Sequence, residues 1–124
     1  MNAKDYLKRY NIIEREIASK NAELKAKKPY AELSENKEKI NKLISSIQQD
    51  ILELIKVEDE IRHTIKSIDN SYYRTILTEI YINGCTLEEV AEKINYGYKQ
   101  TCRLHGKALL AVKDVLECPI NKSI

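Results

Sequence analysis

Between Ile40 and Ile68 the chain repeats one spacing without a break: Ile40, Ile44, Ile47, Ile51, Leu54, Glu58, Ile61, Ile65 and Ile68 fall alternately four and three residues apart, and only Glu58 is not aliphatic. A repeat of about 3.5 residues keeps these side chains on one stripe of an α-helix, whereas a strand would scatter them over both faces of a sheet. The composition fits the same reading: among 124 residues there are only 3 Gly and 2 Pro, and the aromatics are 8 Tyr with no Phe or Trp. A chain of this kind builds its core from Ile and Leu between helices, so an all-α fold is expected.

A second heptad-like stripe precedes the first. Tyr6, Tyr10, Ile13, Ile17 and Leu24 keep the same alternation, interrupted at Lys20. Asn2 is placed to cap this helix, and Asp5 brings negative charge to its amino end. Lys27, Lys28, Pro29 and Tyr30 are expected to break it near Ala26, because proline lacks an amide hydrogen and restricts the residue before it. The second helix is then expected from about Ser34 to Ile68. At about 1.5 Å per residue these helices would measure about 36 Å and about 50 Å, so the longer would outrun its partner. Leu43, Leu52 and Ile55 further widen its apolar face, and both features point to a helical hairpin, coiled-coil-like, that self-associates, the alternative being that the second helix packs only within its own chain. Ile at both kinds of seam position favours no particular number of strands.

A new unit is expected at Asp69, Asn70 and Ser71. The domains are therefore read as 1–69, a helical hairpin for oligomerisation, and 70–124, a smaller helical unit. In the latter, Tyr73, Ile76, Leu77, Ile80 and Tyr81 make a short amphipathic helix that stops at Asn83 and Gly84. Thr86 and Glu89 have the spacing of a capping box at the start of a helix from Leu87 to Ile94. A last helix runs from Tyr98 to about Leu116, ended by Cys118 and Pro119.

The net charge of +2, from 21 basic and 19 acidic residues, is too small to attract a polyanion by itself. The local distribution is different. Glu88, Glu89 and Glu92 lie on the first of the last two helices, while Lys93, Lys99, Arg103, Lys107 and Lys113 occupy a stretch from Lys93 to Lys113 that has no acid. Lys99, Arg103 and Lys107 recur every fourth residue and share a face. Ala91 supplies the small residue needed at a close helix crossing, and Asn95 suits a left-handed turn. Val90, Ile94, Tyr96, Thr101 and Leu104 occupy inward positions, Thr101 being the polar exception. Together these are the outline of a helix-turn-helix whose second helix reads the major groove. The same charges on an ordinary bundle would simply be a solvated face.

The segment from Tyr81 through Ile94, with Tyr96, and on through Arg103 to Leu109 resembles region 4 of sigma factors. It is more similar to the ArpU/RinA-type transcriptional regulators of phages and prophages of Gram-positive bacteria, and the helix from Asp5 to Ile17 resembles the long-helix half of small phage proteins in that group. The resemblance implies a long helical hairpin followed by a C-terminal sigma region 4-like helix-turn-helix. It implies a DNA-binding transcriptional regulator, of late genes in many such phages, with Tyr98, Lys99, Gln100, Cys102, Arg103 and Lys107 on the DNA-reading face. The chain departs from the pattern at Gly97, where those families usually carry Ser or Thr, and at Gly106 within the last helix.

Other chemistries have little support. Cys102 and His105 stand one helical turn apart but lack further ligands of convincing spacing, so no metal or other cofactor is expected and His105 is read as solvated or facing phosphate. There is no phosphate-binding glycine loop and no patterned nucleophile, so no enzyme is expected. Three cysteines without a CxxC pair read as reduced thiols. The first turns carry charges and the longest apolar run is Ala108 to Val112, which fits neither a signal peptide nor a membrane span, and a cytoplasmic protein is expected. The partners expected are double-stranded DNA, a second copy of the chain and, through the hairpin, RNA polymerase; a dimer is favoured only on the transcriptional reading. Two alternatives are a small-terminase-like DNA-packaging adaptor, in which the DNA-binding motif usually comes first, and a helical scaffold with no affinity for DNA.

Overall fold

The computed structural model describes residues 2–33 and 35–117, and among them there are helices and no strands. The order is α1 (Ala3–Leu33), α2 (Lys37–Lys66), α3 (Ser71–Leu77, continued by a π-helical turn over Thr78–Ile82), α4 (Leu87–Ile94) and α5 (Tyr98–Glu117). None of these helices is long and apolar enough to cross a membrane. Ser34, Cys118 and Pro119, invoked above as helix boundaries, lie outside the described residues.

The expected break at Pro29 does not occur: α1 runs through it to Leu33. The amide that Pro29 lacks would have bonded the carbonyl of Lys25, and both residues are exposed, so water can serve that carbonyl where a buried one would be left unpaired. In consequence α1 and α2 have 31 and 30 residues, nearly equal lengths. Helix length therefore gives no reason for self-association, since α2 is not the longer helix. Leu43, Leu52 and Ile55 are exposed as anticipated, but they do not form one stripe. Nine residues turn a helix by about 900°, which leaves Leu43 and Leu52 about 180° apart on opposite flanks of the seam.

Packing divides the chain inside its two long helices, not at the turn near residues 69 and 70. One unit comprises residues 1–11 and 60–124, the other residues 12–59. In the second, the seam is as the spacing predicts. Ile13, Ile47 and Glu58 are buried and Ile17, Ile44, Ile51 and Leu54 half-buried, while Lys20 Nζ reaches Asp50 Oδ2 at 3.4 Å.

In the first unit, Leu7, Ile61, Ile76, Leu77, Val90, Thr101 and Val112 are the largest side chains fully withdrawn from water. Tyr6 and Tyr10 are also buried, each with its hydroxyl satisfied: Tyr6 Oη lies 2.9 Å from Thr64 Oγ1, and Arg62 donates to Tyr10 Oη while its guanidinium lies 5.2 Å from the ring centre. Burial raises the pKa of Tyr6, against the opposing effect of its bond to Thr64.

Asn70 starts α3 by accepting from the amides of Tyr72 and Tyr73 at 2.9 and 3.2 Å. The helix then widens into a π turn, with Asn83 N bonded to Thr78 O at 3.0 Å. Gly84, at φ 75°, ends it as the sequence suggests, and Cys85 N closes back on Glu79 O at 2.8 Å.

Leu7 is absent from the heptad pattern of α1 yet is fully buried, whereas Ile12 is 48% exposed. Leu7→Ala is expected to cost about 2 to 5 kcal/mol, and Ile12→Ala less than about 0.5 kcal/mol. Urea unfolding of the two variants at one protein concentration checks the difference.

Candidate nucleic-acid interface

The turn between α4 and α5 is built by three local interactions. At the start of α4, Thr86 Oγ1 accepts from Glu89 N at 3.2 Å and Glu89 Oε1 accepts from Thr86 N at 3.0 Å, closing the expected capping box. These bonds to Thr86 hold the Glu89 carboxyl below its usual range. At the end, Asn95 takes φ 63° and ψ 38°, and Tyr96 N reaches back to Ala91 O at 3.0 Å. In the first turn of α5, Thr101 donates its hydroxyl to Gly97 O at 2.9 Å. That bond is why a threonine can be fully buried among apolar neighbours.

Val90 and Ala91 are buried beside it, and Ile94, Tyr96 and Leu104 are half-buried. Every position expected to point inward is at least partly covered. Gly97 needs no special freedom, since its φ is not positive and a Cβ there would meet nothing within 4 Å.

On α5 the buried side is Thr101, Ala108 and Val112. Lys99, Arg103 and Lys107 are exposed on the opposite side, Gln100 is exposed beside them, and Tyr98 is 48% exposed at the first turn. Among the described residues none of these three cations pairs with a carboxylate. Cys102 is different. It is half-buried, so of the six anticipated contact residues it offers the least to a partner. The proximity of Cys102, and after it the charge of Glu88, raises the pKa of Tyr98.

Lys93 opens the acid-free stretch in sequence but does not belong to this face. Its ammonium lies 2.7 Å from Glu79 Oε2 on the π turn and 3.5 Å from Cys85 Sγ. Glu79 also accepts from Asn83 Nδ2 and Cys85 Sγ, at 3.3 and 3.4 Å. The hydrogen bond from Lys93 leads the effects that lower the Glu79 pKa, and the same bond raises that of Lys93. No spacing in the sequence announces this contact, which joins residues 14 apart across a π turn and a left-handed glycine.

His105 also departs from expectation. Instead of facing solvent or phosphate it is half-buried against Tyr81, with ring centres 5.9 Å apart and Tyr81 Oη 2.8 Å from Nε2. Burial, and secondly the charge of Lys4, lower its pKa. Cys102 and His105 do not extend to a metal site: among the described residues no three His, Cys, Asp or Glu side chains gather where they could hold an ion.

Glu88, Ala91, Glu92, Asn95, Tyr96 and Tyr98 border a concavity on the α4 side of the turn. Its two carboxylates make this side of the turn locally negative, in contrast to the outer side of α5. Tyr96 is held there by stacking on Tyr72, at 5.2 Å between ring centres.

Because the folded protein favours neutral His105, the unfolded chain binds a proton first as pH falls. Stability is then lost as pH drops from about 6.5, the ordinary histidine value, through the lower folded pKa. His105→Phe, which keeps a ring against Tyr81, is expected to flatten the fall in Tm between pH 7.5 and 5.5. In an NMR titration Lys4→Ala is expected to raise the His105 pKa.

Residues 22–113 match the protein family described as "Protein of unknown function (DUF1492)". No curated protein and no solved structure matches the chain.

Proposed function

The chain belongs to the DUF1492 family, and we propose that it is a sequence-specific double-stranded-DNA-binding transcriptional regulator, in which α4 and α5 act as a sigma region 4-like helix-turn-helix. The observation that carries this reading is the outward side of α5. Lys99, Arg103 and Lys107 are exposed and unpaired there among the described residues, while Lys93, the cation that does not face outward with them, is neutralised by Glu79. Three free cations at four-residue intervals, on a helix set by a left-handed turn, match what a groove-reading helix requires. The protein acts by binding, with no catalytic step. The phage or prophage late-gene role is carried by the sequence resemblance alone.

In this reading Arg103 reads a guanine through two parallel hydrogen bonds, Gln100 contacts adenine, and Lys99 and Lys107 anchor phosphates. The exposed Leu52 and Ile55 on one flank of α2 are where two copies pair, giving the dimer that two DNA half-sites would need.

Selection of bound duplexes from a random pool, followed by anisotropy titrations at several salt concentrations, tests the proposal. Affinity should fall steeply with salt. Lys107→Ala should flatten the slope by about one unit on every sequence. Arg103→Lys should lose about 1 to 3 kcal/mol of discrimination at one base pair and little nonspecific affinity. Absence of salt-dependent binding would leave a helical scaffold as the better reading, and a ring of many subunits in sedimentation would favour a packaging adaptor.

A further inference from the structure

The middle of α5 carries features that the helix-turn-helix reading does not use. Gly106, seven residues after Lys99 and therefore on nearly the same side of the helix, sits in a helix interior, where it is unfavourable relative to alanine. Nothing inside the fold accounts for it, because a Cβ added there would meet no atom within 4 Å. One turn further on, Leu110 is 61% exposed. Beside them lies the first turn of α1, and Asn2, Ala3, Lys4, Gly106, Leu109, Leu110 and Lys113 border a shallow cleft. Lys4 and Lys113 are both exposed, and among the described residues neither pairs with a carboxylate.

We propose that this cleft is a second DNA contact, in which the sugar–phosphate backbone of the duplex lies over Gly106 and Leu110 between the ammonium groups of Lys4 and Lys113. The proposal rests on the reading of α5 given above and extends it to a different helix.

Length and charge together bring this part of α5 to phosphate. From Lys99 to Lys113 the helix advances about 21 Å, while the major groove is about 12 Å wide. A helix entering the groove by its first turns therefore meets a wall of the groove further along, and that wall is phosphate. A glycine lets the backbone approach closely where a side chain would hold it off. Flanking ammonium groups are the complement of a phosphate row, and an aliphatic side chain between them suits the less polar sugar edge. Asp114, exposed immediately after Lys113, marks where the cationic surface ends.

The test uses the full chain and random-sequence duplex DNA. The Lys4→Ala, Lys113→Ala double variant is expected to reduce the slope of log affinity against log salt by about two units, one for each phosphate released. Lys37→Ala with Lys39→Ala, exposed on α2, serves as the matched control and should not change the slope. Gly106→Ala is expected to raise Tm, and Gly106→Gln to weaken binding at least fivefold without lowering Tm. Wild-type slope in the Lys4 and Lys113 variant, or wild-type affinity in Gly106→Gln, would overturn this proposal while leaving the α5 reading standing. Such a result would point to an acidic protein segment as the occupant. Failure of the unaltered chain to bind DNA would overturn both.

Discussion

Asn95 holds a left-handed backbone that most residues avoid, and the position of everything C-terminal to it follows. With φ at 63° the chain leaves α4 and returns within three residues as α5, with Ala91 on the first helix and Thr101 on the second both buried. Asparagine tolerates that conformation better than other residues with a side chain. Because α5 is four-residue periodic in charge, fixing Thr101 inward also fixes Lys99, Arg103 and Lys107 outward. The placement of the cations is thus a consequence of one turn and one buried hydroxyl, with no ion pair needed to hold it.

Charge in this protein is sorted by pairing as much as by position. A net +2 conceals a surface on which some lysines are spent internally and others are left free. Lys93 is held by Glu79 against the π turn, and Lys20 meets Asp50 in the other unit. The cations along the outer side of α5 and at the start of α1 have no such partner among the described residues. Exposed ion pairs contribute little to stability, so the effect of this sorting falls on what the surface attracts.

The sequence made some of this legible, and the reasons are specific. The seam from Ile40 to Ile68 and the capping box at Thr86 depend on residues close in sequence, where spacing carries the physics directly. Asn95 and Gly84 were readable because few residue types accept a positive φ. What escaped were features that depend on tertiary neighbours or on solvent. Pro29 reads as a breaker, yet an exposed carbonyl one turn earlier makes it tolerable. Leu7 lies off the heptad stripe, but it joins a core that α3 and α5 help to enclose. The turn of His105 toward Tyr81 and the capture of Lys93 by Glu79 involve partners 24 and 14 residues away, beyond the reach of any local pattern. At the candidate interface, the exposure of Lys99, Gln100, Arg103 and Lys107 follows from the helical period, and so does the half-burial of Cys102, which lies toward the buried side of Thr101, Ala108 and Val112.

The discontinuous unit formed by residues 1–11 and 60–124 has an evolutionary corollary. Its chain departs just after Tyr10 and comes back just before Arg62, and those two side chains touch. The intervening 12–59 segment is thus spliced into a unit whose entry and exit points are already fastened to each other. Matching seven-residue gains or losses in α1 and α2 preserve the aliphatic register while leaving Tyr6, Tyr10, Arg62 and Thr64 their partners. Long and short versions of the same architecture can therefore arise by whole-heptad insertion or deletion, with the helices at the carboxy-terminal end evolving independently of that length.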